Sequence, residues 1–225
     1  MSESATLRFN GLIRPARRRF SERLAGHAWT IGPALAAYVA PPPAPSAAAF
    51  ETAVPDPILG AVRLTGLISH HESSDTLVLI VHGLAGDAIS PYCAAAARAA
   101  RAAGYASLRL SLRGADHSGE DILHGGITQD LWAALAAPEV ARYRRIFLLG
   151  YSVGGHIALR AAIERKDPRV CAAAAVCPPL DLSAATKAFD HPARAIYRRH
   201  IFAGLNKAAD IRPSGFRYDG DGSGS

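Results

Sequence analysis

Three short aliphatic runs alternate with alanine-rich helical segments in the middle of this 225-residue chain. The runs are residues 76–81 (TLVLIV), 145–149 (RIFLL) and 170–176 (VCAAAAV), and the helical patterns cover residues 91–103 and 154–164. The first run is continuous and rich in β-branched and aliphatic residues, which is typical of a strand that is buried on both faces. The second run also predicts a buried strand, and the third predicts a strand. Strands that alternate with helices predict βαβ units, so we expect an α/β fold with a mostly parallel sheet and helices on both faces.

Weaker patterns extend this sheet in both directions along the chain. Residues 61–69 alternate between apolar and polar side chains, which predicts an edge strand, and residues 106–112 predict another strand. Residues 127–135 predict a short helix, and residues 184–205 are amphipathic and mostly helical.

These patterns divide the chain into four segments. Residues 1–55 are predicted to be an irregular basic segment with a proline-rich spacer, and residues 56–183 to form the α/β core. Residues 184–211 predict a cap-like helical segment. Residues 212–225 are rich in glycine, serine and aspartate and predict a flexible tail.

Composition and charge narrow the classes of partner. The 49% hydrophobic content excludes a disordered chain. The net charge is +6, and much of the excess lies in the N-terminal arm, where a solvated segment is the favoured interpretation. We expect no nucleic-acid partner, because neither zinc-finger spacing nor an RNA-binding aromatic signature occurs. Weak peripheral contact of the arm and cap with an anionic membrane stays open as an alternative.

The cysteine content predicts the compartment. Cys93, Cys171 and Cys177 are too few, and odd in number, for a disulfide framework, so we expect buried free thiols. No charged and apolar leader with a cleavage site opens the chain, and its apolar runs are too short to span a bilayer. A cytoplasmic protein is therefore predicted.

The strongest functional signal is Gly150-Tyr151-Ser152-Val153-Gly154, between a predicted buried strand and a predicted helix. This G-x-S-x-G pattern places a serine on a strained turn, with its hydroxyl exposed above the sheet. Small residues two positions before and after it are needed because their backbones crowd the turn. Ser152 is therefore the predicted nucleophile.

A second signal, His82-Gly83-Leu84-Ala85-Gly86, directly follows the first buried strand. In an acyl-transfer site, an amide of this loop and the amide after the nucleophile hold the oxyanion, here Leu84 and Val153. His82 leads into the loop, so a structural histidine that hydrogen-bonds the loop is favoured over a general base.

Further motifs in chain order resemble the α/β-hydrolase superfamily, specifically its YheT-like (AB-hydrolase-4) group of esterases. The resemblance covers residues 25–207 and includes the H-G-L-x-G loop and the G-x-S-x-G-G elbow; Trp29 replaces the group's usual glutamine. The other matching segments are Ser90-Pro91-Tyr92, Arg113-Gly114, His124-Gly125-Gly126, Asp130-Leu131 and Pro179-Leu180-Asp181-Leu182.

The resemblance implies hydrolysis of a small-molecule carboxylic ester, lipid-like esters included, without a metal or a cofactor. It implies that Ser152 forms an acyl-enzyme and that a histidine, oriented by an acid, moves the proton. In this superfamily the acid and the histidine follow the nucleophile on later strands. No strand is predicted after Val176, so we expect both usual positions to be absent and the chain to be truncated at its C-terminal side.

Several residues are weak substitutes for the missing pair. Asp181 follows the last predicted strand, although a turn residue at the start of the cap is favoured. His191 and His200 lie on the predicted cap helix, and a partner chain is a further alternative, since the oligomeric state is unknown. His117, His124 and His156 are expected to support loops. The leading hypothesis is a serine carboxylesterase; the alternative is a catalytically impaired remnant or a binding protein.

Overall fold

The computed structural model describes residues 32, 39–40, 43–57, 59–116, 121, 125–190, 195, 198–199 and 201–203. The chain divides into two units, residues 1–41 and 42–225, and every element named below lies in the second. The predicted flexible tail, most of the basic arm, and His117, His124, His191 and His200 lie outside the described residues.

From Thr76 onward, the described elements alternate strand and helix as predicted, and two further strands precede them. The strands are β1 (Ala48–Asp56), β2 (Gly60–Ser69), β3 (Thr76–Val81), β4 (Ala106–Ser111), β5 (Arg145–Tyr151) and β6 (Val170–Val176). The α-helices are α1 (Pro91–Ala102), α2 (Gln129–Ala136), α3 (Val153–Glu164) and α4 (Leu182–Phe189), and Pro138–Val140 form a short 3₁₀ turn.

The six described strands form one mixed sheet in the order β1-β2-β4-β3-β5-β6. Strand β2 pairs antiparallel with both β1 and β4, whereas β3 to β6 run parallel. Strand β3 lies in the middle, with Leu79 opposite Leu108 of β4 and Leu148 of β5. The predicted α/β class with a mostly parallel sheet is confirmed.

The hydrophobic core covers both faces of the sheet. Leu77, Leu79 and Val81 of β3 point to the face on which α2 and α3 pack. Val78 and Ile80 point to the opposite face and meet the alanine-rich side of α1. All six residues of β3 are buried, as a continuous aliphatic run predicts.

Two details of the predicted sheet are wrong. The sheet begins at Ala48, inside the stretch predicted to be irregular, because Phe50 and Val54 of β1 are buried in the core. Residues 61–69 belong to β2, which is not an edge strand, since it pairs with β1 on one side and with β4 on the other. Alternation shows that one face of a strand is buried, but it does not show which strands flank it.

A buried ion pair joins the end of β4 to α2. The guanidinium of Arg113 donates through Nε and Nη2 to Oδ1 of Asp130, at 2.9 and 2.7 Å, and through Nη1 to Asp121 at 2.8 Å. The Arg113 amide also donates to Oδ2 of Asp130. Asp130 is fully buried, so these contacts satisfy a carboxylate that would otherwise be costly to bury.

The three cysteines are free, but only Cys93 is buried. Cys171 and Cys177, at the two ends of β6, are exposed, so the prediction of three buried thiols is wrong for these two. Among the helices that the structure describes, none has the length and apolar character needed to cross a membrane.

Candidate active site

Ser152 occupies the sharp turn between β5 and α3. It has φ 51° and ψ −122°, a conformation that side chains rarely adopt and that costs on the order of 1–3 kcal/mol. Its amide donates to the carbonyl of Val176 at 2.9 Å, which ties the turn to the end of β6. The residue is exposed.

The two glycines around Ser152 sit where no side chain fits. A Cβ atom on Gly154 would lie 2.1 Å from the carbonyl oxygen of His82. A Cβ atom on Gly150 would lie 2.3 Å from the carbonyl oxygen of Gly154. The spacing of glycines in the motif therefore follows from the close approach of β3, β5 and α3 at this turn.

The loop after β3 is held by hydrogen bonds at Gly83. The amide of Gly83 donates to Oη of Tyr92 at 3.1 Å, and its carbonyl accepts from the Gly86 amide at 3.0 Å. Within the described part of the chain, neither the amide of Leu84 nor that of Val153 has a hydrogen-bond partner. Two available N–H donors, one of them at the N-terminus of α3, therefore lie near Ser152.

His82 is fully buried and links the loop to the end of β4. Its Nε2 accepts from the amide of Leu112 at 3.0 Å, so Nδ1 carries the proton and donates to the Gly83 carbonyl at 2.7 Å. Burial lowers the pKa of the imidazole below its usual 6.5. These contacts fit the predicted structural role, because both ring nitrogens are already occupied.

Tyr92 is a site residue to which the sequence analysis assigned no role. Its hydroxyl accepts from Gly83, and its ring packs against Tyr151 with centroids 4.9 Å apart. Burial raises the pKa of the phenol, which keeps it protonated. The Ser90-Pro91-Tyr92 motif was the available signal, but only the return of α1 past the loop shows which atom the tyrosine meets.

Ser152, Leu84 and Val153 line one cavity of about 370 Å³. Most of its wall is apolar and comes from α4 and from the segments before and after it. These apolar residues include Pro178, Pro179, Leu182, Ala185, Phe189, Ile201 and Phe202. Among the described lining residues, Asp190 and Arg198 are charged, and Nη1 of Arg198 donates to the Asp190 carbonyl at 3.3 Å. The cavity suits an apolar group placed next to the hydroxyl of Ser152.

Of the candidate acids and bases, the structure describes Asp181 and His156, and neither lines this cavity. Asp181 is the N-cap of α4, where Oδ1 accepts from the Ala184 amide at 2.9 Å, the turn role favoured from the sequence. His156 lines a separate groove of about 860 Å³ between α3 and β6, which Ser152 does not line. No histidine is among the described lining residues of the cavity. The described side chains also contain no cluster that could hold a metal ion.

Comparison with known proteins agrees with this architecture. The family model described as the alpha/beta hydrolase fold matches residues 76–203, more than half of the chain. An esterase from Pyrococcus furiosus superposes with a TM-score of 0.56 at 21% identity, over 72% of this chain and 67% of that one. A serine hydrolase without a lid from Xanthomonas campestris gives 0.50 at 23% identity, over 61% and 64%.

These likenesses concern the fold. At identities below a quarter, the superpositions show a shared architecture and do not transfer a substrate. The chain spans about two thirds of the length of each of the two structures. Among curated proteins, none matches this sequence.

Proposed function

The chain belongs to the alpha/beta hydrolase fold family, and on this basis we propose that it hydrolyses carboxylic esters through an acyl-enzyme on Ser152. The observation that carries the proposal is the cavity that Ser152 shares with Leu84 and Val153, whose amides are available as donors. The order of motifs from Ser90 to Leu182 supports a place in the YheT-like group of this family.

In the proposed reaction, Oγ of Ser152 attacks the acyl carbonyl and its proton passes to a base. The amides of Leu84 and Val153 donate to the oxyanion, and the α3 N-terminus adds partial positive charge. The tetrahedral intermediate collapses, the alcohol leaves with the proton from the base, and the acyl group stays on Oγ. Water then attacks the acyl-enzyme by the same route and releases the acid.

The base in this scheme is His191 or His200. Each is a direct neighbour in sequence of a residue that lines the cavity, because Asp190 precedes His191 and Ile201 follows His200. A group from a partner chain is the proposed source of the acid, since Asp181 caps α4 and does not line the cavity. No metal or cofactor enters the scheme.

The lining of the cavity suggests the class of ester. An apolar wall of prolines, leucines and phenylalanines favours an apolar acyl group, and a volume of about 370 Å³ admits a small ester or the end of a lipid chain. We propose that the protein acts on such small molecules in the cytoplasm, and that any membrane contact is peripheral and electrostatic.

Ester turnover tests this function. The wild-type protein is expected to hydrolyse p-nitrophenyl acetate and butyrate, and Ser152→Ala to lose this activity. Ser183→Ala is the matched control, since Ser183 is an exposed serine of α4 that does not line the cavity. Equal rates for wild type and Ser152→Ala would refute the proposal.

A catalytically impaired binding protein is the second candidate. It is favoured by one observation, namely that the described lining residues of the cavity include no histidine. Loss of the base from a serine hydrolase lowers the rate by about a millionfold. Such a protein would bind an apolar ester in the cavity with a measurable affinity, and its turnover would not exceed that of Ser152→Ala.

A further inference from the structure

Strand β4 has a buried polar face, which neither the core nor the proposed chemistry explains. Ala106, Leu108 and Leu110 belong to the hydrophobic cluster on one side of the sheet. The alternate residues Ser107, Arg109 and Ser111 point to the other side, and all three are at most 4% exposed. Burial of polar side chains is costly unless they form hydrogen bonds, so the contacts of this row beside the aliphatic strand β3 indicate its role.

Two of these residues hold one residue of the loop between β3 and α1. Oγ of Ser111 accepts from the Ala88 amide at 3.1 Å, and Nη1 of Arg109 donates to the Ala88 carbonyl at 3.4 Å. Ala88 is itself buried, so both of its backbone groups have their partners in β4. Ala88 lies four residues after Leu84 in the same loop.

Arg109 is a buried cation with few partners that could offset the cost of burying its charge. It is 3% exposed, it forms no ion pair with a carboxylate among the described residues, and its Nε has no hydrogen-bond partner. Burial lowers the pKa of its guanidinium. A buried charge without a partner of opposite charge lowers the stability of the folded protein. Such unfavourable arrangements occur mainly at functional sites.

We infer that Arg109 and Ser111 are positioning residues for the oxyanion loop, an inference that rests on the proposed function. His82 and Tyr92 hold the loop at Gly83, and Arg109 and Ser111 hold it at Ala88. Leu84 lies between these two attachments, so we expect them to restrict the orientation of its amide, the proposed donor to the oxyanion. A misdirected donor weakens stabilisation of the oxyanion and leaves binding of the apolar group unchanged.

The test combines a reaction at Ser152 with a reaction-independent readout of the loop. Arg109→Met and Ser111→Ala each remove one hydrogen bond to Ala88. Ser107→Ala is the matched control, because Ser107 is buried on the same face of the same strand and has no hydrogen bond to the loop among the described contacts. The measurements are the rate of phosphonylation by a fluorophosphonate, KM and kcat for p-nitrophenyl butyrate, and amide hydrogen exchange over residues 84–90.

In Arg109→Met and Ser111→Ala we expect phosphonylation and kcat to fall by about tenfold with KM nearly unchanged, and the loop amides to exchange faster. Ser107→Ala should match wild type. Arg109→Gln, which keeps a donor but no charge, should recover at least part of the rate and also serves as the readout if the methionine variant does not fold. Wild-type rates and exchange in the Arg109 and Ser111 variants would overturn the inference.

Failure of the proposed function is distinguishable from failure of this inference. If wild type itself is not phosphonylated, the ester hydrolase proposal fails, and hydrogen exchange alone decides the positioning role. Faster exchange at residues 84–90 in the two variants then supports the attachment of the loop by β4, and unchanged exchange refutes it.

Discussion

The backbone at Ser152 is strained, and contacts of the neighbouring residues fix this conformation. The residue has φ 51°, and its amide is fixed to the carbonyl of Val176. Gly150 and Gly154 let β3, β5 and α3 approach more closely than any side chain allows. The strain is thus a consequence of local packing, and the exposed hydroxyl is its result.

Gly154→Ala tests this packing directly. The added methyl group would lie 2.1 Å from the His82 carbonyl oxygen and 2.8 Å from that of Val81, so the helix or the strand must move. We expect the free energy of unfolding to fall by about 1–3 kcal/mol or more, measured by urea denaturation. Ile163→Ala, at an 80% exposed position of the same helix, is the control and should change stability by much less. Equal losses in the two variants would contradict this account of the turn.

His82 predicts a dependence of stability on pH. Because burial lowers its pKa in the folded protein, the unfolded chain binds a proton below about pH 6.5 that the folded chain does not. Stability is therefore lost as the pH falls below 6.5, by up to about 1.4 kcal/mol per pH unit from this residue until its folded pKa is reached.

Urea denaturation of wild type and His82→Gln at about pH 7 and pH 5 measures this contribution. The glutamine variant should be less stable at both values, since the bonds to Leu112 and Gly83 are weakened. Its stability should nevertheless fall less between the two values than that of wild type. An equal fall in both proteins would show that His82 does not titrate as proposed.

The sequence motifs predicted which residues lie together at the site. They did not predict the hydrogen bonds that fix the positions of these residues. Ser152 and Leu84 stand in recognisable short patterns, and the structure brings them to one cavity. The hydrogen bonds of Tyr92 to Gly83 and of Ser111 to Ala88 join residues 9 and 23 positions apart. Contacts between distant residues depend on how α1 and β4 pack, which no local pattern specifies.

At the scale of elements, burial on both faces made the central strands predictable. The predicted bounds of β3 and β6 agree with the structure, but only β3 is buried along its whole length. Strand β6 lies at the end of the described sheet and is partly exposed. Strand β1 was missed, since Ala48–Asp56 carries a proline and only two buried apolar side chains. Helix α4 has no buried residue, so its amphipathic pattern faces the candidate cavity and not the core.

The link between β4 and α2 predicts a large effect of one carboxylate. Asp130→Ala removes the fully buried partner of Arg113 and leaves a buried guanidinium with fewer acceptors. We expect a loss of about 3–5 kcal/mol in the free energy of unfolding, from urea denaturation. Asp75→Ala is the matched control, because the Asp75–Arg145 pair is exposed and such pairs contribute at most about 1 kcal/mol. Comparable losses in both variants would contradict the structural role of the buried pair.

For the whole molecule, cysteine reactivity reports whether α1 covers one face of the sheet as described. Burial between α1, to which Cys93 belongs, and β3 raises the pKa of its thiol to about 12, whereas Cys171 and Cys177 are exposed on β6 and after it. Titration of the native protein with an aromatic disulfide reagent should therefore modify two thiols rapidly, and the third only on unfolding. Rapid reaction of Cys93, identified by peptide mass spectrometry, would mean that α1 does not cover this face.

The fold of the described core was thus predictable from the sequence, and half of the candidate chemistry with it. The proposed nucleophile and the two proposed oxyanion donors lie in local motifs that directly follow the central strands β3 and β5. The proposed acid and base do not lie in such motifs, so no local pattern specifies their place. The predicted truncation of the chain stays a prediction.

The central claim is that Ser152 is an activated nucleophile, and reaction with a fluorophosphonate at neutral pH tests it most directly. We predict stoichiometric phosphonylation, located by mass spectrometry on Ser152, absent from Ser152→Ala and unchanged in Ser183→Ala. A wild-type protein that stays unmodified, or one that carries the label on another residue, would contradict the claim.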